Sequence, residues 1–342
     1  MRSQDVRLLS VGTVLPGQPL DIATLARRFG LGVSWEQWVE AFVGTGTRYL
    51  SFDLDSGEVR QSLADLGETA AARAVAAAGI GPDAVDLMVM GTSSPDALMP
   101  ATVNLIADRL GIDGIPTYQL QSGCSGAVQA LDVARQMLLA GRHRTALVIG
   151  AETVSKHVDL DVDPRRLAAD QLASMVMFGD GAGAAVLSTQ PGADGPVLLE
   201  TFVQLAGLGR PPGHTVEWFG LRDRHGDGPG GSEDYKAIEE SVPVLAAEIL
   251  QALLDELGWK ETDVDYLLPP QLSGRMTARI AEQLPAPAAY EISCVAETAN
   301  TGNALPFFQL ERLLPRMMEG ERAIGIAVES SKWIKAGFAL ER

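Results

Sequence analysis

Residues 117–127 read TYQLQSGCSGA and pass from a strand-like run through a glycine-flanked turn into an alanine-rich apolar stretch. This order predicts a strand, a tight turn and a helix that ends near Gly141, with Cys124 at the helix N-terminus. The helix dipole and the unpaired backbone N–H groups there favour a thiolate, so we expect a Cys124 pKa below the usual value of about 8.5. Cys124 is therefore a candidate nucleophile. A small buried side chain at a helix start is the competing interpretation.

The rest of the chain alternates short β-branched runs with alanine-rich stretches, which is typical of βαβ units around a buried sheet. Strands are predicted at 86–91, 117–120, 145–151, 184–188, 264–268, 289–293, 323–329 and 337–341. Helices are predicted at 63–78, 102–110, 126–140, 242–257 and 305–318. Because the pattern occurs twice, we expect an α/β protein with an N-terminal half at 1–190 and a C-terminal half at 236–342. A connecting strand and a long Gly/Pro-rich loop fill residues 191–235.

Composition excludes several classes of function. The 342 residues contain 27 Lys and Arg against 44 Asp and Glu, and a net charge of −17 repels nucleic acid and anionic membranes. The two cysteines have no metal-ligand spacing, so neither a zinc site nor a disulfide framework is predicted. No apolar run reaches the roughly 18 residues of a membrane span, and residues 1–5 lack the apolar region of a signal peptide. We expect a cytoplasmic protein without a bound metal.

Three segments together carry a family resemblance. They are SGCSGAVQAL around Cys124, FGDGAGAA at 178–185, and Asn300-Thr301-Gly302 before an apolar run. In this order they resemble β-ketoacyl-acyl carrier protein synthase III, and the likeness extends from about Thr45 to Leu340. The resemblance implies a five-layered αβαβα thiolase fold with two similar βαβ-type halves, and a homodimer. Within the family, the chain looks like the ketosynthase-III-like acyltransferases of antibiotic biosynthesis.

The resemblance also implies roles for individual residues. Cys124 would be the acylated nucleophile, Asn300 a hydrogen-bond donor in the active site, and Met99 part of a loop that shapes the partner subunit's pocket. Residues 328–333 replace the glycine-rich oxyanion loop of the family. A backbone N–H needs no glycine, so we expect the N–H groups of Cys124 and Ser331 to form the oxyanion hole.

The chain departs from the family at its catalytic histidine. Residues 266–273 read YLLPPQLS, which places Pro270, followed by Gln271, in the substrate pocket where the histidine belongs. A proline side chain offers no proton and no hydrogen bond, so we do not expect decarboxylative condensation. Acylation of Cys124 needs only a thiolate, an oxyanion hole and a thiol leaving group. These features predict an acyltransferase that passes an intact acyl group to a hydroxyl, an amine or a carrier thiol.

A hydroxyl acceptor requires a general base, and the sequence leaves three candidates. His214 and His225 lie in the long loop, from which either side chain can reach a pocket. Glu297 precedes Asn300 by three residues, and burial would raise the pKa of its carboxyl group. The sequence does not choose among them.

The acyl donor is predicted from a second departure. The Thr-Arg-Thr-Gly segment of the family, whose arginine helps to bind coenzyme A, reads Val-Gly-Thr-Gly at 43–46, and Glu40 stands at the position of a tryptophan. We therefore expect the phosphopantetheine thioester of an acyl carrier protein as donor, with acyl-CoA as the alternative and no resident cofactor. Arg275 and Arg279 are candidate docking residues for the acidic carrier protein.

Two other functions stay open. A starter-unit β-ketoacyl synthase III with a substitute base would still release carbon dioxide. A non-catalytic partner subunit would bind a carrier protein or a ketosynthase without turnover. Neither the acyl group nor the acceptor is identified by the sequence.

Overall fold

The computed structural model of the chain describes residues 5–157, 160, 163, 176–218 and 231–342. The strands of these residues are β1 (Arg7–Val14), β2 (Leu20–Asp21), β3 (Thr47–Arg48), β4 (Leu87–Gly91), β5 (Thr117–Leu120), β6 (Thr145–Glu152), β7 (Gly181–Ser188), β8 (Val197–Leu205), β9 (His214–Val216), β10 (Gly231–Glu233), β11 (Tyr266–Leu268), β12 (Tyr290–Glu291), β13 (Arg322–Glu329) and β14 (Ile334–Glu341). The helices are α1 (Ile22–Arg28), α2 (Val33–Phe42), α3 (Leu63–Ala77), α4 (Thr102–Arg109), α5 (Gly126–Leu139), α6 (Tyr235–Leu257), α7 (Gly274–Gln283), α8 (Val295–Thr298) and α9 (Leu305–Leu313).

Ten strands form one mixed sheet in the order β12-β11-β13-β14-β8-β1-β7-β6-β4-β5. β1 meets β8 at a single residue pair, Arg7 with Val197, and this junction divides the sheet into two sets of five strands. Outward from the junction, both sets have two antiparallel pairings followed by two parallel ones. The chain therefore contains the two similar halves that the sequence predicts.

Helices cover every face of this sheet. α5 and α9 lie between the two sets of strands, where Leu131 and Phe307 share one apolar cluster with Val148 and Phe338. α3 and α4 pack on the outer face of the first set, and α6 and α7 pack on the outer face of the second set. The order helix, sheet, helix, sheet, helix gives five layers. The strands have helices on both faces, and the helices of the middle layer have a sheet on two sides. Strands covered on both faces explain why the sequence shows apolar runs rather than alternation.

Glycines in the first set of strands allow the middle helices to approach closely. A β-carbon on Gly183 of β7 would collide with the Phe307 side chain, and one on Gly150 of β6 would collide with the Asn303 backbone. The glycine-rich segment at 178–185 is therefore a packing surface for the start of α9. This packing brings the loops that precede α5 and α9 to the same edge of the sheet.

The structure alters some predicted elements. β1 was not among the predicted strands, and α6 begins at Tyr235 rather than 242 because the Asp234 side chain caps its first turn by accepting from the Ala237 N–H group. The segment 208–232 was predicted to be irregular, but β9 and β10 pair there in antiparallel register. Within the described residues, none of the helices combines the length and the hydropathy that crossing a membrane requires.

Candidate functional site

Cys124 lies in the turn between β5 and α5, and Asn303 holds this turn in place. The Asn303 amide donates to the Gly123 carbonyl at 3.0 Å, and its oxygen accepts from the Ala127 N–H group at 2.7 Å. One side chain thus ties both sides of the nucleophile turn to the loop before α9. Cys124 is partly buried and lines a cavity of about 420 Å³.

This cavity connects Cys124 with the surface of the described chain. Its wall includes Arg279, whose side chain is 54% exposed, so the sulfur is reached from outside. Much of the lining is apolar, and it includes Trp38, Phe42, Ile238, Val242, Met276 and Leu305. Such a wall suits an acyl chain better than a charged substrate.

Seven of the residues singled out from the sequence line this cavity. They are Cys124, His214, Pro270, Gln271, Arg275, Arg279 and Asn300. Three of the other candidates do not line it. Glu297 is outside the cavity, Met99 is 86% exposed and lies outside the cavity of its own chain, and His225 lies outside the described residues.

The two expected oxyanion-hole donors converge on one carboxylate. The Cys124 N–H group donates to Glu329 Oε2, and the Ser331 N–H group donates to Glu329 Oε1 at 2.6 Å. Glu329 is only 2% exposed, and a β-carbon on Gly123 would collide with its carboxylate. The Glu329 side chain thus occupies the point at which these two donors would hold the oxygen of a thioester.

The expectation of a lowered Cys124 pKa is wrong. Burial raises the pKa of the thiol well above its ordinary value, and the carboxylates of Glu329, Glu152 and Glu233 raise it further. A hydrogen bond between the thiol and Glu329 acts in the same direction. The helix terminus cannot offset these effects, because the backbone N–H of Cys124 is already bonded to Glu329. Cys124 is therefore protonated at neutral pH and requires a base to become a nucleophile.

Asn300 lines the cavity, and its side-chain oxygen is bonded within its own loop. Its Oδ1 accepts from the Gly302 N–H group at 3.0 Å, so the NH₂ group is the part left for a substrate. The Asn300 backbone pairs with Met177 and Gly179 on the neighbouring loop. The preceding residue, Ala299, has a φ of +60°, a costly conformation for a residue with a β-carbon. The backbone bonds to Met177 and Gly179 hold Asn300 beside the cavity despite this strain.

The wall at Pro270 and Gln271 has no titrating side chain. Gln271 Oε1 accepts from the Ser293 hydroxyl and from the backbone N–H groups of Cys294 and Val295. Its Nε2 donates to the Pro269 carbonyl at 3.3 Å. Gln271 therefore caps α8, and with Pro270 it shapes the cavity without titrating. Cys294 is buried, and burial raises its pKa to about 12, in agreement with a core residue.

The candidate bases are placed differently. His214 lines the cavity, where its ring stacks on Phe178 and its Nε2 lies 3.6 Å from Glu233 Oε1. A carboxylate beside an imidazole orients the ring. Glu297 is 66% exposed and forms an ion pair with Arg312. The expectation that burial prepares Glu297 as a base is therefore wrong.

Sequence reasoning missed Glu329 and Glu152 as parts of the site. Glu152 ends β6 and accepts from the Ser93 N–H group at 2.8 Å and from the Asn303 amide at 2.5 Å. Its burial raises the pKa of its carboxyl group to about 6. Each glutamate is the last residue of an otherwise buried apolar strand, and a charge in that place is the signal that was available. Among the described residues, no group of three or more His, Cys, Asp or Glu side chains is arranged to hold a metal.

The chain is similar in sequence to one family of known proteins. The profile of the family 3-oxoacyl-[acyl-carrier-protein (ACP)] synthase III matches residues 118–206. Beta-ketoacyl-[acyl-carrier-protein] synthase III 3 of Streptomyces coelicolor is 30% identical over 307 residues, which cover 87% of this chain and 85% of the relative. The corresponding synthase III of Alkalilimnicola ehrlichii is 32% identical over 311 residues, which cover 87% of each chain.

Solved structures agree in fold. AbyA1, described as a tetronic acid condensing enzyme, has a TM-score of 0.95 and 57% identity, covering 98% of this chain and 100% of that one. Synthase III of Pseudomonas aeruginosa PAO1 has a TM-score of 0.84 and 25% identity, covering 98% of each chain. OleA of Xanthomonas campestris, at 0.82 and 20%, covers 99% of each chain and is similar in fold alone. The predicted five-layered thiolase fold is thereby confirmed.

Proposed function

Because this chain belongs to the β-ketoacyl-[acyl-carrier-protein] synthase III family, we propose that it carries an acyl group as a thioester on Cys124 and passes it intact to an acceptor. The chain is an enzyme of a family whose members are condensing transferases. Our proposal for this chain is acyl transfer without loss of carbon dioxide. The observation that carries it is the cavity wall at Pro270, which lacks a titrating side chain while Cys124 and Asn300 are both present.

The groups around the cavity suit acyl transfer. A sulfur nucleophile, two converging backbone N–H donors and an asparagine amide are what the exchange of one thiol for another at a thioester carbonyl requires. Decarboxylation adds a further requirement, because the carboxylate must be held while a carbanion forms. The residues at 270–271 supply no titrating group for that purpose, and the Gln271 side chain is bonded to the backbone around α8 through its oxygen and its amide nitrogen.

The likeness to AbyA1 suggests an acceptor other than a hydroxyl, an amine or a carrier thiol. A tetronic acid ring is a five-membered lactone that contains an acidic carbon between two carbonyl groups. Assembly of such a ring from two thioesters requires one carbon–carbon bond and one ester bond, and each releases a thiol. No carboxylate is lost, because a methylene between two carbonyls is acidic without decarboxylation. We propose that the acceptor is a β-ketoacyl thioester of this kind.

His214 is the residue best placed to take the proton of the acceptor. It shares the cavity with Cys124, and Glu233 lies beside its ring. An imidazole oriented by a carboxylate can accept a proton from an acidic carbon or from a hydroxyl group. Of the bases that the sequence left open, His214 alone combines a described position with access to the cavity.

An acyl carrier protein is the proposed donor. Glu36 and Glu40 line a second cavity beside residues 44–46, the segment that lacks the family's coenzyme A arginine, and two carboxylates against the single cation of Arg275 oppose the phosphates of coenzyme A there. Trp38, two positions before Glu40, lines the Cys124 cavity instead. Arg275 and Arg279 lie at the mouth of that cavity, where an acidic carrier would approach. We further expect a cytoplasmic homodimer in which Met99 contributes to the pocket of the partner subunit.

Acylation is tested by mass spectrometry of the intact protein and of the Cys124 peptide. The wild type is incubated with acyl carrier proteins that carry different acyl groups, and Cys124→Ala is the matched control. We expect one acyl mass on the wild type and none on the variant. Equal labelling of both proteins would remove Cys124 from the mechanism.

The absence of decarboxylation is tested with a carrier protein loaded with carboxyl-labelled malonate. We expect no labelled carbon dioxide above the rate of an enzyme-free sample, with or without an acylated Cys124. Release of carbon dioxide at the turnover rate would identify a starter-unit synthase with a substitute base instead.

A further inference from the structure

We propose that Glu329 is the proton acceptor of Cys124 and that its carboxylate closes the oxyanion hole until that proton has been transferred. The proposal deepens the function above and rests on acylation of Cys124. It concerns a residue that interacts with the nucleophile directly, and it links two events, formation of the thiolate and opening of the hole, through one side chain.

The geometry is that of an oxyanion hole filled from within. Glu329 Oε2 accepts from the Cys124 N–H group, and Oε1 accepts from the Ser331 N–H group. Both donors are backbone groups of the two loops that flank the sulfur, and the carboxylate between them is buried. Gly123 leaves the space that this carboxylate requires, because a β-carbon at that position would collide with it. A thioester carbonyl cannot use these donors while Glu329 remains there.

Cys124 needs a base, and Glu329 is in contact with it. The thiol is protonated at neutral pH because burial and three carboxylates raise its pKa. Pro270, at the position of the family's histidine, cannot accept a proton. His214 lines the same cavity, where its ring is paired with Glu233. The Glu329 carboxylate is already bonded to the Cys124 N–H group, which places it beside the thiol that must lose a proton.

Acylation of Cys124 then consists of a proton transfer, an addition and an elimination. The thiol proton moves to a Glu329 oxygen, and the sulfur anion attacks the carbonyl carbon of the donor thioester. The carbonyl π electrons move to its oxygen, which is then held by the Cys124 and Ser331 N–H groups. When the carbonyl re-forms, the bond to the carrier sulfur breaks, and this thiolate takes the proton from Glu329. The products are acyl-Cys124, the free carrier thiol and the Glu329 carboxylate.

Protonation explains why Glu329 would leave the hole at the right moment. An ionised carboxylate forms strong hydrogen bonds with backbone N–H groups, whereas a neutral carboxylic acid is a much weaker acceptor. After proton transfer, the two N–H groups therefore bind the developing oxyanion better than they bind Glu329. In the enzyme without substrate, the same carboxylate prevents water or a small thioester from using the hole.

The test compares two reactions of Cys124 in Glu329→Ala. Acylation by a carrier thioester uses both the base and the hole, whereas alkylation by iodoacetamide uses no oxyanion hole and depends only on the fraction of thiolate at equilibrium with solvent. Removal of one carboxylate favours the thiolate, so we expect faster alkylation than in the wild type. We expect acylation to be slower by roughly 10²-fold or more, the usual range for loss of a general base. Added formate should restore part of the acylation rate, because it can enter the space left by the side chain. Glu329→Gln should lose acylation without formate rescue.

Glu297→Ala is the matched control, because it removes an exposed glutamate outside the cavity. It should acylate and alkylate like the wild type. A misfolded Glu329→Ala would lose acylation and its cooperative thermal transition although its exposed thiol would still be alkylated, and that result would assign Glu329 a structural role and overturn the proposal. Acylation of Glu329→Ala at the wild-type rate would overturn it too, while leaving the proposed function intact. A wild type that accepts no acyl group from any thioester would overturn both.

Discussion

Cys124 shows how distant residues decide the chemistry of a local motif. The turn and the helix start were predictable from residues 117–127, but the charges that act on the sulfur come from Glu152, Glu233 and Glu329. These residues lie 28 to 205 positions further along the chain. A helix N-terminus lowers a thiol pKa only when its N–H groups are available, and here one of them is bonded to a carboxylate.

Alkylation against pH measures this balance. In a Cys294→Ala background, we expect Cys124 to react with iodoacetamide at neutral pH at least about tenfold more slowly than free cysteine, since each pKa unit lowers the thiolate fraction about tenfold. Because the pKa is raised, the rate should still increase above pH ~9, where free cysteine approaches its plateau. Glu233→Gln, which removes one of the three carboxylates, should move the curve to lower pH. A plateau below pH ~8 in the starting protein would contradict the raised pKa.

At the scale of elements, the local sequence pattern was sufficient to predict most strands and helices of the core. The predicted strand at 117–120 has the observed bounds, and the predicted helices at 63–78, 102–110 and 126–140 each extend one residue too far. These elements are long or strongly apolar, and their signals are local. β9 and β10 were missed because their pairing joins segments about 15 residues apart that contain glycine, histidine and serine rather than apolar residues.

Gly183 tests whether the contact between β7 and α9 is as close as the structure shows. Gly183→Ala would force a methyl group against Phe307, and we expect a loss of about 1–3 kcal/mol in the free energy of unfolding. Gly32→Ala is the control, because a β-carbon there meets no atom within 4 Å. Gly32 is the N-cap of α2, so its effect should be limited to the poorer capping by alanine, under about 1 kcal/mol. The measurement is denaturant unfolding of both variants beside the wild type, and equal stabilities would refute the close contact.

At the scale of the molecule, the duplication was visible in the order of elements alone, because each half repeats five strands without repeating their sequence. What the sequence could not give is where the halves meet, and the site lies at that meeting point. Cys124 precedes α5 in the first half, while Asn300, Asn303 and Glu329 belong to the second. The tie from Asn303 to Gly123 joins the halves directly. Spatial neighbours of this kind leave no periodic signal in a chain.

The net charge of −17 makes docking of an acidic carrier protein depend on a few cations. Arg279 is one of them, exposed at the cavity mouth and paired with Glu239. Reversal of its charge by Arg279→Glu should raise KM for an acyl carrier protein by about tenfold, and by much less for an acyl-pantetheine that lacks the protein. Arg142→Glu makes the same change in net charge at an exposed position outside the cavity. Comparison of the two variants therefore separates repulsion of the carrier by a charge at the docking site from repulsion by the net charge of the enzyme. Initial rates at low and high salt measure both effects, since docking between exposed charges weakens as salt is added. Equal increases in KM for the two arginine variants would show that overall charge alone governs the approach, and would remove Arg279 from the docking surface.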